Sequence, residues 1–215
     1  MERVALIDYG SGNLRSAEKA LWEAARRAGD SAEIRTTADP DYVARADRIV
    51  LPGVGAFAAC MDALEARGGL IEAMGEAVNR RGAPFLGVCV GMQLMATRGL
   101  EFGERRGLDW IKGEVRPLTP ADPRAKVPHM GWNTLELPEK PHPLFADMAP
   151  DTHMYFVHSF AFHPQDPSAT AAVTDHAGRF AAAVARDNLA GVQFHPEKSQ
   201  EAGLALIGRF LGWRP

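Results

Sequence analysis

The sequence predicts an α/β fold in which helices cover both faces of a mainly parallel, open sheet, with an antiparallel extension. Short apolar segments alternate with stretches whose apolar residues recur every three or four positions, which is typical of parallel sheets. Several of the apolar segments run straight into glycine-rich turns, as strands do at the edge of such a sheet. After Gly99, prolines and aromatic residues become frequent and the helical periodicity is lost, which favours hairpins.

The clearest alternation lies in the first hundred residues. Strands are predicted at residues 3–8, 48–51 and 84–88. Helical spacing predicts helices at residues 14–28, 57–67 and 70–81, and a further helix is predicted from 92 to 97. In the last third, strands are predicted near 169–174, 180–186 and 189–194, before a helix from about 199 to 211. Because no repeat, low-complexity tract or linker interrupts this order, residues 1–215 are expected to form a single domain.

Composition excludes several classes of protein. Hydrophobic residues make up 46% and charged residues 24%, which is ordinary for a globular protein. The formal charge of −3 and the absence of a basic block argue against nucleic-acid binding. No apolar run approaches the roughly 18 residues that a membrane helix needs, and the chain start does not resemble a signal peptide. Two cysteines suit a reducing compartment, so a cytoplasmic location is expected.

The segment Gly87-Val88-Cys89-Val90-Gly91 is the most informative. An apolar strand leads directly to a cysteine with a glycine two positions away on each side, which is the pattern of a nucleophile elbow. The sharp turn presents the sulfur beside the positive end of the following helix, where a thiolate is favoured. A buried structural cysteine beside two turn glycines is the alternative interpretation.

A second candidate group is His195-Pro196-Glu197. Residues two apart in extended backbone point the same way, so the imidazole and the carboxylate can share a face. A carboxylate beside an imidazole sets its tautomer and stabilises its cation, as in a catalytic triad. A surface turn and, less well supported, a metal site are the alternatives.

Two glycine-rich turns follow predicted strands. Gly53-Val54-Gly55 can expose backbone N–H groups to an oxyanion, although an ordinary turn between strand and helix has the same composition. Gly10-Ser11-Gly12 resembles the start of a dinucleotide fingerprint, but Arg15 occupies the third glycine position. NAD binding is therefore rejected, and no cofactor is expected.

Taken together, these segments resemble the triad-type, class I glutamine amidotransferases, which pair a cysteine elbow with a downstream His-x-Glu and an upstream glycine loop. The resemblance extends through nearly the whole chain. It is most specific to the branch formed by glutaminase subunits of imidazole glycerol phosphate synthase, which act in histidine biosynthesis. The segments that carry it are residues 8–14 (Asp-Tyr-Gly-Ser-Gly-Asn-Leu), 128–133 (Pro-His-Met-Gly-Trp-Asn), 155–159 (Tyr-Phe-Val-His-Ser) and 191–199 (Gly-Val-Gln-Phe-His-Pro-Glu-Lys-Ser).

The resemblance implies a flavodoxin-like fold and a Cys-His-Glu mechanism of glutamine hydrolysis. Cys89 would attack the side-chain amide of glutamine, His195 would transfer the proton and Glu197 would orient His195. The remaining implied site residues contact the oxyanion or the substrate. They are Gly53, Val54, Gly55 and Val90 for the oxyanion, and Gln93, His158, Ser159 and Phe160 for glutamine.

The resemblance also implies a partner. Members of this branch dock on a (βα)₈-barrel cyclase subunit, which uses the ammonia to make imidazole glycerol phosphate and an aminoimidazole carboxamide ribonucleotide. Lys198 is a candidate interface cation, with a solvated lysine as its alternative. Three other functions compete: a glutaminase that supplies a different synthase, a catalytically silent binding protein of the same fold, and a cysteine protease or esterase.

Overall fold

A computed structural model describes residues 1–29 and 31–215. Its strands are β1 (Arg3–Ile7), β2 (Glu33–Thr37), β3 (Arg48–Gly53), β4 (Phe85–Cys89), β5 (Arg98–Gly99), β6 (Arg105–Arg106), β7 (Gly113–Pro117), β8 (His129–Thr134), β9 (His153–His158), β10 (Phe160–Pro164), β11 (Thr170–Asp175), β12 (Arg179–Arg186) and β13 (Leu189–Val192). Its α-helices are α1 (Leu14–Ala28), α2 (Pro40–Ala44), α3 (Phe57–Glu65), α4 (Leu70–Gly75), α5 (Val90–Gln93) and α6 (Gln200–Gly212).

A seven-stranded sheet with the order β11-β12-β13-β4-β3-β1-β2 forms the centre of the structure. Five neighbouring strands of this sheet pair in parallel, namely β2, β1, β3, β4 and β13. Strands β12 and β11 continue the sheet in antiparallel pairing. A four-stranded sheet, β10-β7-β5-β6, and the antiparallel ribbon β8-β9 are built mainly from the proline-rich middle of the chain. These observations confirm the predicted α/β class, its mainly parallel sheet and its antiparallel extension.

The direction in which the chain travels explains why both faces of the sheet carry helices. From β1 the chain moves outward to β2, then crosses back over β1 to β3 and continues to β4. Because crossovers between parallel strands are right-handed, this reversal puts α1 on one face and α2, α3 and α4 on the other. The packing agrees, since α1 contacts α6, while α4 contacts both α2 and α3.

The central strands are apolar because both of their faces are covered. Residues Val4, Ala5, Leu6 and Ile7 of β1 are fully buried, as expected for an interior parallel strand. Arg48 is the polar exception among the largest buried side chains: its guanidinium donates to Glu2 at 3.0 Å and to the Phe210 carbonyl at 3.0 Å. Within the described residues, no helix combines the length and the apolar character needed to cross a membrane.

One predicted helix has the wrong bounds. The helix predicted over 92–97 overlaps α5 only at residues 92 and 93, because α5 starts at Val90 and ends at Gln93, and residues 94–97 are not helical. The chain then turns, and the carbonyls of Leu94 and Met95 accept hydrogen bonds from the N–H groups of Leu108 and Trp110. This run is apolar because it is buried on every side, so its composition does not distinguish a helix from a buried turn.

Two smaller differences lie in the first half of the chain. The predicted helix over 70–81 is divided into α4 and a π-helical turn at Glu76–Arg80. Strand β2 and helix α2 were not predicted. The strand is an edge strand with two exposed residues, and the helix has five residues, so neither shows a long periodic pattern.

Candidate active site

The carboxyl ends of the parallel strands bring the candidate residues together. Gly53 at the end of β3 lies opposite Cys89 at the end of β4, and Val192 of β13 lies opposite Val88. Ligands of open α/β sheets bind at this edge. Here it carries a cavity of about 290 Å³. Except for Gly53 and Glu197, every sequence-predicted site residue lines this cavity, namely Val54, Gly55, Cys89, Val90, Gln93, His158, Ser159, Phe160, His195 and Lys198.

Gly53 and Glu197 line an adjoining cleft that His195 shares with the main cavity. Glu197 thus lies behind the imidazole rather than beside the space open to a substrate. This is the arrangement expected of a group that orients a catalytic histidine.

Cys89 occupies a strained turn between β4 and α5. Its φ of 55° and ψ of −112° belong to the region that residues with a Cβ rarely adopt. The flanking glycines permit the turn: a Cβ on Gly87 would lie 2.6 Å from the Gly91 carbonyl oxygen, and a Cβ on Gly91 would lie 1.8 Å from the Leu51 carbonyl oxygen. The geometry is therefore that of a nucleophile elbow.

His195 and Glu197 form a buried pair with side chains 3% and 5% exposed. The Nδ1 atom of His195 lies 2.8 Å from Glu197 Oε1, which leaves Nε2 as the nitrogen available to another group. Burial disfavours the charged ring, but contacts with Cys89 and Glu197 outweigh it and raise the pKa of His195 to about 9. The arrangement favours the charged form of His195 near neutral pH.

The main chain around His195 is held on both sides. Its N–H donates to the Tyr155 carbonyl at 2.8 Å, and its own carbonyl accepts from the Ser199 hydroxyl at 2.7 Å. The same hydroxyl accepts from the Tyr155 N–H at 3.0 Å. Strand β9 therefore fixes the position of the imidazole.

The loop after β3 is tied to the loop after β1. The N–H of Val54 donates to Ser11 Oγ at 3.3 Å, and the Ser11 hydroxyl donates back to the Val54 carbonyl at 2.7 Å. The Cys60 thiol contacts the same carbonyl at 3.3 Å, and the Tyr9 hydroxyl donates to the Pro52 carbonyl at 2.8 Å. In this conformation the Val54 N–H is used by Ser11.

A buried amide network lies beneath the predicted glutamine-binding residues. Gln93 Nε2 donates to the Phe160 carbonyl at 3.0 Å and to Gln193 Oε1 at 2.9 Å. His158 uses both ring nitrogens within the protein, against the Phe160 carbonyl at 2.8 Å and His129 Nδ1 at 3.1 Å. Burial lowers the pKa of His158 to about 3, so its ring is neutral near pH 7.

Sequence reasoning assigned no role to Ser11, Tyr9, Gln193 or His129, although all four lie in the motifs that carry the resemblance. The available signal was topological. Tyr9 and Ser11 follow β1, Gln193 follows β13, and both of these strands end at the same edge of the sheet as Cys89. Parallel strands that end together place the residues after them in contact.

Exposed apolar side chains lie on or beside segments that line the cavity. The exposed large hydrophobic residues include Val54, Val127, Met130 and Trp132. Trp132 packs against the ring of Tyr155 with centroids 5.7 Å apart, and the Lys198 ammonium lies 5.8 Å from the same ring. Several exposed apolar side chains close to one cavity indicate an interaction site.

The geometry supports nucleophilic chemistry on a small substrate. A cysteine at an elbow, a histidine oriented by a carboxylate and a loop with backbone N–H groups enclose one cavity. These are the parts that acyl transfer through a thioester requires.

Comparison with known proteins gives one consistent family. The family model described as glutamine amidotransferase class-I matches residues 5–211. The imidazole glycerol phosphate synthase subunit HisH of Caulobacter vibrioides is 61% identical over 215 residues, with both chains fully covered. The subunit of the same name from Rhodospirillum rubrum is 55% identical over 213 residues, covering 99% of this chain and 100% of the relative.

Solved structures share the fold at much lower identity. A putative GMP synthase subunit from Thermoplasma acidophilum superposes with a TM-score of 0.67 at 19% identity, covering 99% of this chain and 93% of that chain. A second structure, described as a glutamine amidotransferase, gives a TM-score of 0.67 at 16% identity, with 94% of each chain covered. These two likenesses concern the fold alone.

Proposed function

This chain belongs to the class-I glutamine amidotransferase family, and we propose that Cys89, His195 and Glu197 carry out its glutamine hydrolysis. The chain is a glutaminase subunit of the imidazole glycerol phosphate synthase type and provides ammonia for histidine biosynthesis. The observation that supports the residue assignment best is the cavity where the Cys89 elbow meets the buried His195–Glu197 pair.

The proposed reaction has two steps. The Cys89 thiolate attacks the amide carbon of glutamine, and His195 gives a proton to the departing nitrogen, so that ammonia leaves and a γ-glutamyl thioester remains. Water, deprotonated by His195, then attacks the thioester and releases glutamate and the thiol. Glu197 holds the Nδ1 side of the ring throughout, which keeps Nε2 directed at the reacting atoms.

Backbone N–H groups of two elements are proposed to bind the oxyanion. One is the N–H of Val90, at the start of α5, and the others come from the loop of Gly53, Val54 and Gly55. Gly55 has a φ of 98°, which favours glycine, so a side chain here would restrict the loop. Loss of one oxyanion donor typically reduces kcat about 10²- to 10³-fold.

The glutamine side chain and its amino-acid end are proposed to lie against Gln93, Ser159 and Phe160. Because both contacts of Gln93 use its Nε2, its Oε1 is the atom that can accept from a substrate ammonium. His158 is proposed to act through its backbone and its bond to the Phe160 carbonyl, since its ring nitrogens are occupied.

The ammonia is proposed to pass to a (βα)₈-barrel cyclase subunit seated over the cavity. Ammonia released into water is lost or protonated, so the cavity needs a cover during turnover. Lys198 lines the cavity and supplies a cation, and the exposed Met130 and Trp132 of the neighbouring strand β8 supply apolar contact area. This arrangement gives a heterodimer in which one face both docks the partner and delivers the product.

Ammonia release from glutamine tests the proposal under three conditions: the chain alone, the chain with its cyclase partner, and the pair with a cyclase ligand. We expect slow hydrolysis by the chain alone and faster hydrolysis in the liganded pair. Equal rates in all three conditions would show that the partner does not regulate glutamine hydrolysis.

The change Cys89→Ala tests the nucleophile in the same assay. It removes the sulfur but leaves the turn, so glutamine hydrolysis should fall to background while the complex still forms. The complex should also retain its cyclase reaction when ammonium salts replace glutamine. Substantial glutamine-dependent turnover by this variant would exclude Cys89 as the nucleophile.

A further inference from the structure

We infer that Gln193 is a positioning residue for the nucleophile: its amide N–H donates to the Cys89 sulfur, and the Phe160 carbonyl fixes the direction in which that amide points. The inference rests on the proposed role of Cys89 and extends it to a residue outside the triad. It concerns the ground-state thiolate, before glutamine binds.

The contact between the amide and the sulfur is buried. Gln193 Nε2 lies 3.7 Å from Cys89 Sγ, and the Gln193 side chain has no exposed surface. The backbone N–H of Gln193 donates to the Ala182 carbonyl at 2.8 Å, which anchors the residue to β12. A donor held in a buried site stabilises negative charge better than the same group in water.

The identity of the atom facing the sulfur follows from a backbone carbonyl. The Phe160 carbonyl can accept but cannot donate, so the Gln93 atom 3.0 Å away is its NH₂ nitrogen. The same nitrogen lies 2.9 Å from Gln193, whose facing atom must therefore be the oxygen. The NH₂ group of Gln193 is thereby turned towards Cys89.

A histidine chain holds the same carbonyl from the other side. His158 Nδ1 lies 2.8 Å from the Phe160 carbonyl and must carry the proton, so its Nε2 accepts from His129 Nδ1 at 3.1 Å. His129 Nε2 then accepts from the Asn133 amide at 3.3 Å. Each bond in this chain has one direction, and together they keep the Phe160 carbonyl in place.

Titratable groups reach Cys89 from each neighbouring element. Together with Glu197 behind the imidazole, the groups that line the cavity or lie near the sulfur are His195, His158, Lys198, Tyr9, Cys60 and Glu101. Among them His195 supplies the countercharge, and its own protonation changes with pH. The Gln193 amide does not titrate, so its stabilisation of the thiolate is present at every pH.

The test is the pH dependence of Cys89 alkylation by iodoacetamide, with the rate measured on the Cys89 peptide by mass spectrometry. Gln193→Met keeps the length of the side chain and removes the donor. We expect the pH midpoint of alkylation to rise, with a rate roughly threefold to tenfold lower below the midpoint, as for the loss of one hydrogen bond. The rate at the high-pH plateau should stay close to the wild-type value.

The control is Asn188→Leu, which removes a partly buried amide that also donates two hydrogen bonds. Asn188 Nδ2 donates to the carbonyls of Val78 and Ala83, at the opposite end of β4 from Cys89. This variant should lose stability and keep the wild-type alkylation midpoint. If it moved the midpoint as far as Gln193→Met does, the effect would be structural and the inference would be overturned.

A second variant covers the case in which Gln193→Met does not fold. Gln193→Glu keeps the acceptor for Gln93 and presents an oxygen to the sulfur, so its midpoint should rise further than in Gln193→Met. An unchanged midpoint in either folded variant, or an equal loss of rate at every pH, would overturn the inference. Because alkylation needs no glutamine, a midpoint shift in a protein that fails to hydrolyse glutamine would leave the inference standing and reject the proposed function.

Discussion

At the scale of single residues, Cys89 and Cys60 show how position determines the chemistry of a side chain. Cys89 lies at an elbow whose sulfur borders the cavity and the His195 ring. Cys60 lies on α3, where its thiol contacts Ser11 and the Val54 carbonyl. Burial raises the pKa of the Cys60 thiol, which keeps it protonated and unreactive near neutral pH.

A glutamine-analogue electrophile should therefore label Cys89 and spare Cys60. The reagent needs an accessible cavity and a thiolate, and Cys60 offers neither condition. Peptide mapping after stoichiometric labelling gives the distribution directly. Label recovered mainly on Cys60 would reverse the assignment of the nucleophile.

The charge on His195 predicts a pH-dependent stability. Burial alone would lower its pKa, but the neighbouring Cys89 and Glu197 raise it from the ordinary 6.5 to about 9. A group whose pKa rises on folding stabilises the native state fully below about pH 6.5, and the contribution disappears as the pH approaches 9. This pKa shift corresponds to at most about 3 kcal/mol of free energy of unfolding, and part of that stabilisation comes from the contact with Cys89.

Urea denaturation between pH 6.5 and 9 measures this contribution. The free energy of unfolding of the wild-type chain should decrease across that range, and Glu197→Gln should flatten the decrease because it removes the carboxylate that favours the cation. Parallel curves for the two proteins would show that Glu197 does not hold His195 in its charged form.

At the scale of elements, the loop after β3 depends on the loop after β1. One hydroxyl, that of Ser11, bonds both the N–H and the carbonyl of Val54. Those two bonds keep the Val54 N–H from the oxyanion position proposed for it. Rotation of this peptide would require Ser11 to release it.

Ser11→Ala should raise the glutamine hydrolysis of the isolated chain and reduce its stimulation by the partner. The gain is limited to about 10²- to 10³-fold, the usual effect of one oxyanion donor. Steady-state ammonia release with and without the liganded partner measures both quantities. Ser168→Ala, in an exposed turn far along the chain, is the matched control and should change neither.

An unchanged basal rate in Ser11→Ala would show that Ser11 does not hold the loop in its resting conformation. The proposed triad does not depend on that result.

The elements also show how far the sequence alone could predict the structure. Strands β1, β3 and β4 are buried on both faces, so their apolar runs are unambiguous. The elbow is evident because Gly87 and Gly91 have no room for a Cβ. The turn after Gln93 was not evident, because a buried turn and a buried helix have the same composition.

The candidate site could likewise be predicted only in part from the sequence. Cys89, His195 and Glu197 lie in short motifs whose chemistry is visible in the residues themselves. The contacts of Ser11 with Val54 and of Gln193 with Cys89 join distant segments, and they depend on which strands lie side by side. Strand order is a tertiary property, so these contacts required the structure.

At the scale of the whole molecule, the mouth of the cavity and the apolar surface around it form one face. Trp132 on this face and Trp22 on α1 are similarly exposed, at 47% and 48%. They differ in their surroundings, because Trp132 packs on Tyr155 beside the cavity, whereas Trp22 lies on the outer side of a helix.

Trp132→Glu should weaken binding to the cyclase partner by at least tenfold, since an exposed aromatic side chain that the partner is proposed to cover is replaced by a charge. Trp22→Glu should leave the affinity unchanged. Isothermal titration with the purified partner distinguishes the two variants. Equal affinities for both variants would place the docking face elsewhere on the molecule.

The strand order has a consequence for how the protein is made. Strand β13 lies between β4 and β12, so the middle of the sheet stays open until almost the entire chain has been synthesised. Gln193 is 104 positions from Cys89, and His195 and Glu197 follow it. A nascent chain thus carries the cysteine long before the histidine proposed to activate it. Under the proposed mechanism, an unfinished polypeptide lacks His195 and Glu197, so it is expected to hydrolyse glutamine only after the last strand is inserted.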